Sequence, residues 1–243
     1  MNSEREAARV IIADDHRFMR VGLRSVLESE PDFEVVGEAA NGIEAVTLCR
    51  RLCPDLALID VRMPEMGGLE ATRAIKEDLP RTGVIMVTMH ENLDYLYEAL
   101  KAGAAGYVLK DATDDELISA ARTVLEGESL LSTELAGRLL HRLVGEEARE
   151  HSVTSPPVLS SANKNGDKGK DISFEALTPR ELEVLALLAQ GLTNPQIARS
   201  LSVEAGTVKT HVKRIISKLG VSDRTQAAVR AIQLGLIALD HFY

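Results

Sequence analysis

Five short apolar runs punctuate the first half of the chain, near residues 9–13, 33–39, 55–60, 83–88 and 105–109. Each is nearly continuous rather than alternating, the pattern of strands covered on both faces of a parallel sheet. Between them lie segments with helical spacing of apolar positions, near 16–29, 42–52, 68–78, 92–102 and 114–126. In the first of these the spacing predicts Val21, Val26 and Leu27 facing inward and Arg17, Arg20 and Arg24 outward. Turn residues separate the elements: Glu30-Pro31-Asp32, Asn41-Gly42, Cys53-Pro54, Met66-Gly67-Gly68 and Leu79-Pro80. Five βα units in series predict an α/β fold over residues 1–128, with a five-stranded doubly wound parallel sheet.

The pattern then changes. Residues 129–173 read as one helix, near 132–143 with Leu135, Leu139, Leu140 and Leu143 on one face, and a flexible linker. The linker is rich in Ser, Pro, Gly, Asn and Lys and poor in apolar residues. Residues 174–243 are again helical in period. Thr178-Pro179-Arg180-Glu181 combines an N-cap, a Pro at the first helical position and a Glu at N3. Asn194-Pro195 starts a second helix, residues 205–219 form a third ended by Gly220, and Ser222-Asp223 opens a fourth. Four short helices with tight turns predict a second, all-α helix-turn-helix domain.

Charge separates the two halves. Residues 1–128 carry 14 basic and 25 acidic side chains, whereas residues 174–243 carry 8 and 6, so different partners are expected for each. The absence of Trp argues against broad stacking surfaces for single-stranded nucleic acid. No apolar run is long enough to span a membrane, and the polar N-terminus lacks a signal-peptide core, so a cytoplasmic location is expected. Cys49 and Cys53 read as two reduced thiols, with a redox pair or half a metal site as the alternatives.

Asp60 is the residue with the most chemistry. A carboxylate ending a buried strand is costly unless something uses it. Ligands of doubly wound folds bind beyond the carboxyl ends of the strands. Asp14 and Asp15 follow the first strand there, Thr88 closes the fourth, and Lys110 follows the fifth. Asp14, Asp15 and Asp60 would offer hard oxygens to Mg²⁺. Asp60 would attack phosphorus as a nucleophile, Lys110 would pair with phosphate oxygens, and Thr88 would receive the new phosphate through its hydroxyl. Taken singly, each residue reads equally well as a cap, a turn residue or a surface charge.

The combination Asp-Asp, Asp-x-x-Met-Pro, Thr and Gly-Tyr-x-x-Lys resembles the receiver domain of two-component response regulators. The resemblance implies phosphorylation of Asp60 by a sensor histidine kinase, Mg²⁺ on Asp14, Asp15, Asp60 and the Arg62 carbonyl, and Tyr107 as a switch aromatic that follows Thr88. Two positions depart from the pattern. Gly67 stands where many relatives have Asp, which should chiefly affect turn rigidity, and Asp111 stands where many have Pro. Arg62 and His90 flank the expected phosphate and are expected to set the access of hydrolytic water.

In the second domain, residues 207–219 form an amphipathic helix with Val208, Val212, Ile215 and Leu219 on one face. Lys209, Thr210, Lys213, Arg214 and Ser217 lie opposite, and by itself this stripe reads equally as a solvated face. The motifs Leu-Thr-x-Arg-Glu, Ala-x-Gly-x-x-Asn-x-x-Ile-Ala and Thr-Val-Lys-x-His-Val-x-x-Ile-x-x-Lys-Leu-x-Val resemble the LuxR-type helix-turn-helix. By that resemblance Lys209, Thr210 and Lys213 read double-stranded DNA in the major groove. Arg214, Lys218 and Arg224 are expected on the DNA face or its phosphates, with helix N-termini at Asn194 and Thr207 donating N–H groups. His211 is expected to pack or cap, and Pro195 replaces a Lys common among relatives. Together the two domains resemble the NarL/FixJ class. This implies a transcription regulator that pairs as a homodimer when phosphorylated, with Ala227, Ala228, Ala231 and Leu234 as a candidate DNA-bound dimer contact. A DNA binder independent of phosphorylation, and a receiver acting only through protein contacts, are the competing readings. No independent enzyme is expected.

Overall fold

The computed structural model describes residues 7–89, 93–128, 130 and 176–237. The expected helix near 132–143, the linker and His90 lie outside them. Strands β1 (Ala8–Ala13), β2 (Phe33–Ala39), β3 (Leu56–Asp60), β4 (Gly83–Thr88) and β5 (Gly106–Leu109) form one parallel sheet in the order β2-β1-β3-β4-β5. All five residues of β3 are buried, as expected for the middle strand of a sheet covered on both faces.

Helices α1 (Arg17–Glu28) and α5 (Asp114–Leu125) cover one face, where Val10, Ile12, Leu56, Leu58, Ile85 and Val87 meet Leu27, Leu117 and Val124. Helices α2 (Gly42–Leu52), α3 (Gly68–Asp78) and α4 (Leu93–Ala102) cover the other, over Ile11, Ile59 and Met86. Each fully buried Leu or Ile contributes roughly 1.5–3 kcal/mol of apolar burial. Local caps start the helices where the turn residues predict. The Asn41 side chain accepts from Glu44 N–H at 2.8 Å, and Thr113 and Glu116 cap α5 reciprocally.

In α1 the expected inward set is partly corrected. Leu27 is buried, Val26 packs against the core and Leu23 joins them, but Val21 is 53% exposed and Phe18 93% exposed. Met19, Leu23, Val26 and Leu27 are spaced by four, three and one, so one helical stripe takes them and turns Phe18 and Val21 to the far side. Arg20 and Arg24 are not simply solvated. Both guanidinium groups bond Glu38 on β2, at 3.2 and 2.6 Å, and the Arg24 bond leads the causes holding the Glu38 carboxyl below its usual range.

The second domain comprises α6 (Pro179–Ala189), α7 (Asn194–Leu201), α8 (Ala205–Leu219) and α9 (Arg224–Gln233). Helix α7 starts one residue earlier than expected. The Gln196 side chain reaches back to the Thr193 N–H and hydroxyl, which makes Thr193 the N-cap and moves Pro195 one place inside the first turn. Val184, Leu185, Ile197, Val208, Val212 and Ile215 build the core. Ala227, Ala228 and Ala231, expected at a dimer contact, are fully buried in that core, while Leu234 is exposed. Small side chains let α9 approach α6 closely enough to become part of the interior.

The two domains pack against each other. Leu96, Tyr97 and Leu100 of α4 belong to the same buried cluster as the core of α6–α9, and Tyr107 packs against it.

Candidate functional site

The carboxyl ends of β1, β3 and β5 bring Asp14, Asp60 and Lys110 together. The Lys110 ammonium lies 2.7 Å from Asp60 Oδ2 and 2.7 Å from Asp14 Oδ2. The first is an aligned hydrogen bond; at Asp14 Oδ2, a buried atom, no donor is aligned, so the contact is one of charge. Burial pushes the Asp60 carboxyl above its usual range, with Asp14 adding to this and Lys110 opposing it. Burial opposes the Lys110 charge, but the two carboxylates of Asp14 and Asp60 prevail and hold the ammonium above the ordinary lysine range.

Asp15 is exposed and completes the acidic set. Ligand atoms of Asp14, Asp15, His16 and Asp60 all lie within 4.8 Å of one another. Three carboxylates around a buried oxygen without an aligned donor fit a hard divalent cation. His16 was missed in the sequence, although its position directly after Asp14-Asp15 was available as a signal. Its backbone N–H donates to Asp14 Oδ1 at 2.8 Å and its Nδ1 sits 2.6 Å from Asp15. Thr88 ends β4 beside this cluster, and its carbonyl accepts from the Lys110 N–H at 2.8 Å. Tyr107 is half-buried on β5, between the sheet-side core and the second domain. The Arg62 side chain turns outward to Tyr95, donating to its hydroxyl at 3.1 Å, and Tyr95 is the second residue not anticipated.

Two glycines open α3, Gly67 as its N-cap and Gly68 as its first residue. A Cβ on Gly68 would sit 2.0 Å from the Asp60 carbonyl oxygen, so only glycine allows α3 to begin against the Asp60 backbone. A Cβ on Gly67 would meet nothing closer than 3.7 Å, so a larger residue has room there.

On α8, Thr207, Thr210, Lys213 and Arg214 are exposed, and the four expected inward residues are buried. Lys209 and Arg224, expected at DNA, and the side chain of Asn194, whose backbone N–H is expected there, have partners in the first domain. Lys209 pairs with Glu126 at 2.9 Å; Arg224 and Asn194 each donate to Glu128, at 3.1 and 3.2 Å. Glu126 and Glu128, just past α5, were not singled out in the sequence because nothing local marks them. Lys218 points away from the exposed face. It bonds the Ala176 carbonyl and the buried Glu181 carboxylate, 3.2 and 3.0 Å away. His211 sits half-buried with Nδ1 enclosed and unpartnered, consistent with packing rather than capping.

Residues 10–122 match the family described as response regulator receiver domain, and residues 175–231 match bacterial regulatory proteins, luxR family. The chain is 41% identical over 225 residues to the transcriptional regulatory protein LiaR of Bacillus subtilis, covering 92% of this chain and 96% of that one. The chain belongs to the NarL/FixJ class of response regulators. Response regulator protein VraR of Staphylococcus epidermidis is 38% identical, covering 95% of this response regulator and 99% of VraR. A crystal structure of a LuxR-family two-component response regulator from Aurantimonas is 34% identical with a TM-score of 0.50, covering 61% of this chain and all of that one. A receiver and a LuxR-type DNA-binding domain are thus joined in one transcriptional response regulator, as in its relatives. Among the described residues, no helix is long and apolar enough to cross a membrane.

Proposed function

We propose that Asp60 accepts a phosphoryl group from a phosphohistidine of a sensor kinase, and that this modification governs DNA binding by α8. The observation that carries the reading is the buried Asp14–Lys110–Asp60 bridge: two carboxylates held 2.7 Å from one ammonium at the strand ends. A carboxylate oxygen of Asp60 attacks phosphorus, the P–N bond to the donor imidazole breaks with its electron pair staying on nitrogen, and an acyl phosphate forms on Asp60. Lys110 moves its charge from the carboxylates to the incoming phosphoryl oxygens. Asp14, Asp15, Asp60 and the Arg62 carbonyl would hold Mg²⁺, which supplies charge neutralisation at the phosphoryl group. Thr88 turns its hydroxyl to the phosphate, and Tyr107 follows into the space vacated.

The route to DNA begins at Tyr107 and α4, which pack against the core of the second domain. Glu126 occupies the groove reader Lys209, and Glu128 occupies Arg224, a phosphate contact, and the Asn194 side chain at the start of α7. This is a closed form with lowered DNA affinity. Repacking of Tyr107 and α4 loosens it, exposes Lys209, Asn194 and Arg224, and lets two chains bind paired half-sites as a homodimer. Self-dephosphorylation of Asp60 returns the protein to the closed form.

The test measures mass and duplex-DNA affinity with and without acetyl phosphate, for wild type and Asp60→Asn. Wild type is expected to gain one phosphoryl group and bind DNA more tightly, and Asp60→Asn to do neither. Wild type that binds DNA equally well with and without phosphate establishes phosphorylation-independent binding instead.

A further inference from the structure

The segment Ser222–Gln226, which turns the chain from α8 into α9, is bonded to three separate parts of the receiver. The Arg224 N–H donates to the Gly127 carbonyl at 2.9 Å. The Gln226 side-chain amide donates to the carbonyls of Leu100 and Ala104, at 3.2 and 2.9 Å. The third attachment involves charge. Lys76, in the last turn of α3, donates to the Pro80 and Thr82 carbonyls of its own domain and to the Ser222 hydroxyl of the other, each at 2.8 Å. Ser222 in turn donates to Asp223 Oδ2 at 2.7 Å. Asp223 has no exposed surface, and its other oxygen caps α9 by accepting from the Thr225 and Gln226 N–H groups at 2.9 and 3.0 Å. The Lys76 stem is held from behind at Gly103, where a Cβ would approach Lys76 Cγ to 2.7 Å.

We infer that Lys76 and Asp223, joined through the Ser222 hydroxyl, form an interdomain latch: a part-buried ammonium from the receiver and a fully buried carboxylate from the second domain, each stabilised in the closed form by the other. Among the described residues, the charge that faces each group comes from the other domain. Burial pushes the Lys76 ammonium down to about 8 and pushes the Asp223 carboxyl up, and in each case the partner's charge opposes the shift. Removing one member therefore strands the other, which costs far more than removing both. The latch lies away from the acidic site and shares no residue with the Glu126 and Glu128 contacts. It makes opening cooperative: α9 leaves with its buried Asp223 or not at all.

The inference rests on the proposed closed form, but its readout does not require phosphoryl transfer. Amide exchange is followed in the unphosphorylated full chain. The Arg224 amide, bonded across the interface, reports closure; the Lys110 amide, bonded to Thr88, reports the receiver fold. Lys76→Met is expected to speed Arg224 exchange about tenfold or more while leaving Lys110 protected. Lys76→Met with Asp223→Asn, which keeps an N-cap oxygen and removes the stranded charge, is expected to restore protection to within a few-fold of wild type. Two results overturn the inference: Arg224 exchange unchanged in Lys76→Met, or equally fast in the single and double variants. If Lys76→Met unfolds the receiver, Ser222→Ala decides. Faster Arg224 exchange there supports the latch, and exchange within twofold of wild type overturns it.

Discussion

Replacing Glu128 by Gln probes whether the receiver competes with DNA. Glu128 accepts from Arg224 at 3.1 Å and from Asn194 at 3.2 Å, and the charged pair is mostly shielded, with side chains 26% and 14% exposed. A hydrogen bond to a charged group contributes about 1.5–3 kcal/mol when shielded, and exposed pairs contribute about 0–1 kcal/mol. Glutamine keeps an acceptor for one donor, so the loss for this geometry is about 1–2 kcal/mol of closed-form stability. That corresponds to roughly 5- to 30-fold tighter DNA binding by unphosphorylated protein. Fluorescence anisotropy on labelled duplex DNA at fixed salt measures it. Glu34→Gln, at an exposed position on β2, makes the same change in net charge and should shift affinity far less. If Glu128→Gln binds within twofold of wild type while Arg224→Ala weakens binding, the receiver acids do not compete with DNA, and the account of closure by charge is wrong.

Two further outcomes follow from the buried charges. Lys110→Met leaves Asp14 and Asp60 adjacent and uncompensated, so it should destabilise the receiver by about 3–5 kcal/mol. Added Mg²⁺ should then raise its melting temperature more than that of wild type, and equal shifts by calorimetry would contradict the proposed metal role. For Lys76, the folded value of about 8 lies below the ordinary lysine value, so the unfolded chain binds the extra proton across the window from 8 to 10.5. Stability should therefore rise with pH through that window relative to Lys76→Met, by about 3 kcal/mol in total. Urea unfolding at pH 7.5 and 10 reads the difference, and a wild type that gains no stability relative to Lys76→Met over that range contradicts the lowered Lys76 value.

Much of the receiver was legible because its physics is local. Strands buried on both faces must be apolar throughout, so the runs ending at Ala13, Asp60 and Thr88 stood out, as did the carboxylates at their ends. The inward face of α8 was legible for the same reason. Val21 turns outward against its periodicity because α1 carries more apolar residues than its buried stripe accommodates. What stayed hidden depends on domain docking. Lys76 and Ser222 are 146 positions apart, and Lys209 and Glu126 are 83 apart, with no periodicity to connect them. Lys218 looked like a phosphate contact in the linear pattern, and only the fold reveals Glu181 buried beside it.

Tyr107 packs where the sheet meets the second domain, and Tyr97 is fully buried on the same seam. The chain contains four tyrosines and no tryptophan, and of the other two only Tyr95 is described, at the surface. Aromatic optical signals of the native protein therefore arise in large part from the seam between its domains. Near-ultraviolet circular dichroism and tyrosine emission thus give a label-free record of opening, on the timescale of a stopped-flow mixing experiment, without introducing any probe.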